Sequence, residues 1–136
     1  MDDNLAAMLA DTARLMRRAF DARARQIGVT RPQWRVLSVL HRFEGINQGG
    51  LAEMLEVEPI TMCRMVDRLQ EAGLVERRPD PEDRRSRLLF LTPKAGALLS
   101  QLRPLGEEML EEALSGVDDK DRHVLLTSLS QMRRNL

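Results

Sequence analysis

Between Gln48 and Thr92 the chain reads QGGLAEMLEVEPITMCRMVDRLQEAGLVERRPDPEDRRSRLLFLT, and no other stretch narrows the choice of fold as much. Gln48 to Glu56 carries Leu51 and Leu55 one turn apart, which predicts a short helix with both leucines inward. Pro59 suits the first turn of a second helix, where a missing N–H costs nothing. In that helix Met62, Met65, Val66 and Leu69 recur at i, i+3, i+4 and i+7 and predict a buried stripe. Thr61, Arg64 and Arg68 are left for the outer face. Gly73-Leu74 predicts a left-handed helix ending with the leucine folded back. Leu74–Arg78 and Arg87–Leu91 then predict paired strands around a Pro- and Asp-rich tip, Pro79–Ser86. A short helix braced behind an exposed one is the geometry of a helix-turn-helix unit that enters the major groove of DNA. A following hairpin with Arg84 and Arg85 at its tip makes the unit a winged helix.

The flanks predict helices. Leu5, Leu9, Leu15, Met16 and Phe20 fall at roughly helical spacing ahead of Gly28. Thr30-Arg31-Pro32-Gln33 matches a capping box and opens a helix that carries Trp34, Leu37, Val39 and Leu40 and stops at Gly45. Thr92-Pro93 starts another helix, running to about Leu114 and kinked at Pro104. Asp118 caps a last one, lined by Leu125, Leu129 and Met132. The expected fold is therefore mostly α with a small β-wing, as a single domain over 1–136. Residues 28–103 form the winged-helix part, and 1–27 with 104–136 form dimerisation helices. The terminal helices are amphipathic with no further chain to cover them, so Leu5, Leu9, Leu125, Leu129 and Met132 are expected to pack on a second, two-fold related copy.

Totals restrict function. With 136 residues there is room for one core. Three Phe, one Trp and no Tyr leave that core to Leu, Met, Val and Ala, a helix-leaning set. The start, MDDNLAAML, is acidic where a secretory leader is basic, and no apolar run is long enough to span a bilayer, so a cytoplasmic protein with no membrane partner is expected. One cysteine excludes an internal disulfide and any multi-cysteine metal site. His41 and His123 are far apart, no HExxH is present, and Gly49-Gly50 lacks a phosphate-loop lysine. No enzyme, metal or cofactor is expected. Net charge is zero, yet Arg64–Arg103 holds nine Lys/Arg against six Asp/Glu, while 107–136 holds four against seven. A basic middle is compatible with nucleic acid, although charge-rich helices are often only solvated faces.

The chain resembles the multiple antibiotic resistance regulator (MarR) family over essentially its whole length. The resemblance is carried by Cys63–Leu69 (C-R-M-V-D-R-L) ahead of Gly73-Leu74-Val75, and by Asp83-Arg84-Arg85-Ser86 leading to Leu91-Thr92. It is similar in particular to the salicylate-responsive, SlyA-like branch. The resemblance implies a homodimeric regulator, a repressor of pseudo-palindromic promoters released by a small aromatic carboxylate or phenol. It also implies that the helix Pro59–Ala72 enters the major groove and the wing the flanking minor groove. The alternative from another class is a winged-helix protein-interaction module.

Gln48, Thr61, Arg64, Arg68, Arg84, Arg85 and Arg87 are the expected contacts to double-stranded DNA. Arg64 matches the family's recognition arginine and could bond guanine O6 and N7, or merely a phosphate or a neighbouring acid. Arg68, flanked by Asp67 and Glu71, could brace the wing or touch phosphate. Arg85 matches the arginine that reaches into a narrow minor groove, with Asp83 expected to hold it in place. Arg84 and Arg87 would meet phosphates. Cys63 is either a packing residue or an oxidant sensor. Arg14, Arg17, Trp34 and Ser38 match positions that line a ligand pocket in the salicylate-responsive branch. The competing reading is a core tryptophan with surface arginines.

Overall fold

The structure is a computed structural model that describes residues 4–136. Residues 1–3, with which the expected N-terminal segment begins, lie outside the described residues. Six helices and one hairpin follow in the order α1 (Leu5–Gln26), α2 (Arg31–Arg42), α3 (Gln48–Leu55), α4 (Pro59–Glu71), β1 (Val75–Asp80), β2 (Asp83–Leu91), α5 (Pro93–Ala113) and α6 (Asp119–Asn135). The expected mostly helical fold with a small wing is the one found.

Local chemistry sets most boundaries. Asn4, Thr30, Asn47, Thr92 and Asp118 each accept a backbone N–H at a helix start. At Thr30 the capping box is complete, with the Gln33 side chain accepting from the Thr30 N–H at 2.9 Å. α4 ends in a Schellman motif: Gly73 has φ +75°, and Leu74 N–H reaches back to Leu69 O at 2.9 Å. The start of α5 closes the same helix end, since Lys94 Nζ donates to Ala72 O and Thr92 Oγ1 to Gly73 O.

Two expectations need correction. α2 stops at Arg42, with Phe43 as C-cap, three residues before Gly45. Gly45 has φ +89° and turns the chain so that Gly45 N–H donates to Leu89 O, and Leu89 N–H to Ile46 O. The linker thus becomes a short third rung beside β2, which the helical pattern of α2 does not foretell. The hairpin is also longer than the strands read from its apolar residues. Antiparallel pairing runs from Val75↔Leu91 to Asp80↔Asp83 with a bulge at Pro79/Asp80, and only Pro81 and Glu82 remain as the tip. Backbone pairing continues past the last buried side chain because a ladder needs only N–H and C=O groups.

The main core fills the space among α2, α3, α4 and the hairpin. Leu37, Leu40, Leu51, Met62, Val66 and Leu89 are fully buried there. A smaller cluster of Ala24, Val29 and Leu102, packed by Phe20, Trp34, Leu98, Leu99 and Leu105, joins α1 and α2 to α5. It straddles the boundaries expected between the winged-helix part and the terminal helices. α5 is helical through Pro104 and serves both clusters. α6 buries no residue at all. Its first turn is tied down by Arg122, which reaches Val117 O, Leu114 O and the Glu111 carboxylate. No helix is long and apolar enough to cross a membrane among the described residues.

Candidate nucleic-acid interface

The arginines of the winged helix divide by what they touch. Arg64, Arg68, Arg84 and Arg85 are exposed, and no acid lies within ion-pair reach of their guanidinium groups among the described residues. The other arginines between Gln48 and Thr92 are occupied. Arg78 pairs with Glu76 and lies 3.9 Å over the Phe90 ring. Arg87, expected at a phosphate, donates to Arg84 O and Ser86 O of its own strand. Arg77 is the most engaged of all.

Arg77 was not among the residues singled out in the sequence. Its Nε donates to Gln48 Oε1 at 3.1 Å, Nη1 to Gln70 Oε1 at 2.8 Å and to Asp67 Oδ1 at 2.7 Å, and Nη2 to Cys63 O at 3.2 Å. One side chain, 18% exposed, therefore ties β1 to α3 and to three positions of α4. The wing is braced onto the helix-turn-helix by Arg77 rather than by Arg68. Arg68 instead lines a cleft with Thr30, Pro32, Gln33, Met65 and Leu69 at the start of α2. A signal did exist: in a strand of period two, Arg77 shares a face with the buried Val75. Gln48, expected to face DNA, spends its side-chain oxygen on Arg77.

Asp83 holds Arg85, though not as expected. Its Oδ1 accepts the Arg85 backbone N–H at 2.9 Å, an Asx turn that shapes the strand start and leaves the Arg85 guanidinium free. Arg85, Ser86 and Arg87 face Asn47, Gln48 and Gly49 across a cleft of about 320 Å³. Arg85 and Arg87 thus lie beside the N-terminus of α3, where the helix dipole adds to their positive field. Thr61 and Arg64 are exposed on α4. Cys63 is exposed too, with its carbonyl and sulfur turned to Arg77.

The residues expected around a ligand are not gathered in one place. Ser38 opens on a cavity of about 300 Å³ between α1, α2 and α5, with Phe20, His41, Arg42, Leu99, Leu102 and Arg103. Arg14, Arg17 and Trp34 do not line it. Arg14 is exposed and 3.8 Å from Asp11, and Arg17 is exposed. Trp34 and Phe20 make a T-shaped pair at 4.9 Å between ring centres, and Trp34 donates from Nε1 to Asp21 Oδ1 at 2.6 Å.

Asp21 is the second residue missed, because only the crossing of α1 and α2 brings it to Trp34. It is 8% exposed and also accepts from Arg31 Nε at 2.6 Å. Burial works to raise its carboxyl pKa. The hydrogen bonds from Arg31 and Trp34, with the charges of Arg31 and Arg25, outweigh burial and hold it below the ordinary value. A carboxyl depressed on folding stabilises the fold above its unfolded pKa of about 3.9, and this stability is lost as pH falls through the folded value. Asp21→Asn should therefore lower unfolding free energy by about 1–3 kcal/mol at pH 6. The gap to the native protein should close below about pH 3.9 in urea titrations. A gap that stays constant down to about pH 2.5 would refute the charge-based account.

These features define a winged helix-turn-helix whose free cationic groups sit on the exposed helix and the wing, flanked by long helices. Comparison with known proteins agrees. The family model described as MarR family matches residues 29–86. An uncharacterized HTH-type transcriptional regulator, YybA of Bacillus subtilis (strain 168), is 30% identical over 112 residues, covering 82% of this chain and 75% of YybA. The crystal structure of a MarR transcriptional regulator from Methanosarcina mazei Go1 is 29% identical with a TM-score of 0.84, covering 96% of this chain and 94% of that one. A cysteine-to-serine mutant of MarR from E. coli, crystallised in complex with operator DNA, is 25% identical with a TM-score of 0.78, covering 96% and 94%. The chain belongs to the MarR family of transcriptional regulators, whose members are not enzymes.

Proposed function

We propose that this chain is a cytoplasmic, homodimeric repressor that binds pseudo-palindromic promoter DNA through α4 and the wing, and is released by a small aromatic carboxylate or phenol. The observation that carries the reading is the division of the arginines. Arg64, Arg84 and Arg85 stay unpaired while their neighbours are tied into the fold. Unpaired guanidinium groups on a helix and a hairpin tip suit base edges and phosphates. The operator complex of the E. coli relative supports it. Dimerisation is supported by the uncovered apolar side chains of the terminal helices, Leu5, Leu125, Leu126 and Leu129 among them. Leu9 and Met132 are half-buried beside them.

For the ligand, the cavity at Ser38 offers an apolar floor of Phe20, Leu99 and Leu102 and a cationic rim of Arg42 and Arg103. A flat ring with a carboxylate matches that division. Occupation would weaken DNA binding through α5, which packs against both the cavity and the winged-helix core.

Titration of duplexes selected from a random pool tests the reading. Arg85→Ala should weaken specific and random duplexes alike and lower the salt slope by about one unit. Arg64→Ala should cost about 1–3 kcal/mol at one base position and relax the preference there. Millimolar salicylate should weaken operator binding of the native protein by a coupling of about 1–3 kcal/mol. Absence of salt-dependent binding to any duplex would turn the wing into a protein-docking surface instead. An equal loss on all sequences for Arg64→Ala would remove its base contact, and indifference to salicylate would remove that ligand.

A further inference from the structure

Ile60 is the one large apolar side chain of α4 that the fold leaves in water. It is 65% exposed, and between α1 and α6 no other large apolar side chain is as open among the described residues. The exposed leucines of the terminal helices have a proposed cover in a second copy, but α4 is the helix proposed to meet DNA. Ile60 is the second residue of that helix, after Pro59 at its first position. It stands four residues before Arg64, so the two side chains lie one turn apart on the same face. The N-terminal residues of a recognition helix are those that meet base edges.

An aliphatic side chain there has one apolar partner on the floor of the major groove, the C5-methyl group of thymine. Guanine, adenine and cytosine present hydrogen-bonding atoms, which a branched aliphatic group would desolvate without pairing. We infer that Ile60 is a specificity-determining residue that selects thymine in each half-site by contact with its methyl group, next to the base read by Arg64. The inference rests on the proposed binding of DNA through α4. It adds a preference that hydrogen bonding alone would not produce, because uracil and thymine pair identically.

That difference supplies the test. A duplex recovered by selection from a random pool is resynthesised with each thymine in turn, and its symmetry mate, replaced by deoxyuridine. The native protein should lose about four-fold in affinity per half-site at one position, the equivalent of about 0.8 kcal/mol for one methyl group removed from water. Paired substitution in both half-sites should cost about fifteen-fold, twice that free energy. Ile60→Ala should bind the thymine duplex as weakly as the native protein binds the deoxyuridine one, and should not distinguish the two. Alanine is the better helix former at an exposed site, so an unchanged melting temperature is expected. If no thymine is sensitive to loss of its methyl, or if the sensitivity persists in Ile60→Ala, the assignment is overturned while DNA binding stands. If the selection recovers no preferred duplex, the proposed function falls and takes the assignment with it.

Discussion

Replacing Leu125 and Leu129 together with aspartate should turn the proposed dimer of twice 15.5 kDa into a monomer. Both leucines are exposed on α6, a helix with no fully buried residue in its own chain. A helix of 17 residues with so little packing is marginal alone, because helices in water draw most of their stability from a buried apolar face. Val124 and Leu126 are open beside them, and Leu5 and Met8 are open on α1. A second copy is the proposed cover. Aspartates in that interface would be buried without partners, at a cost of several kcal/mol for each. The monomer should retain its winged-helix core, since none of its buried residues lies in α6. It should nonetheless lose about 10²- to 10⁴-fold in operator affinity, because the second half-site is no longer held at high effective concentration. Light scattering at micromolar concentration and duplex titration would read both effects. A double variant that stays dimeric would place the interface elsewhere.

Arg77→Ala should have the other large effect, although Arg77 is assigned no role at the DNA surface. Its guanidinium satisfies Asp67, Gln48, Gln70 and the Cys63 carbonyl at once. Truncation to alanine removes charge-assisted bonds from a mostly covered group and should destabilise the fold by about 1–3 kcal/mol. The wing would also be freed to move relative to α4. Operator affinity should then fall by at least about ten-fold, since the two elements proposed to meet DNA together would be ordered only at binding, at a cost to affinity. The salt slope should not change, because every arginine proposed to meet a phosphate is still present. Arg77→Lys keeps the charge without the planar fork and should lie between. A slope lowered by about one unit would place Arg77 on a phosphate and make the bracing account wrong.

Whatever depends on neighbours along the chain was legible from residues alone. The caps at Thr30, Thr92 and Asp118, the proline at the head of α4 and the glycine behind it act within four or five residues. The stripe Met62, Met65, Val66 and Leu69 marked its inner face by period. Family motifs at Cys63–Leu69 and Asp83–Ser86 carried the reading as a regulator, and the comparisons agree. What only the tertiary structure decided is which polar groups find each other across elements. Arg77 and Arg78 are adjacent and chemically alike, yet one locks the wing to two helices and the other lies over Phe90. The pleat sends them to opposite faces, and only packing says what waits there. Asp21 and Trp34 are thirteen residues apart and meet because α1 crosses α2. Arg14 and Arg17 matched a ligand pocket by position, yet both are exposed, although Arg17 stands three and seven residues before Phe20 and Ala24 on one helical face. Local sequence dictates conformation through bonds a few residues long. The partners of a guanidinium or a carboxylate are set by distances through space, which no spacing along the chain contains.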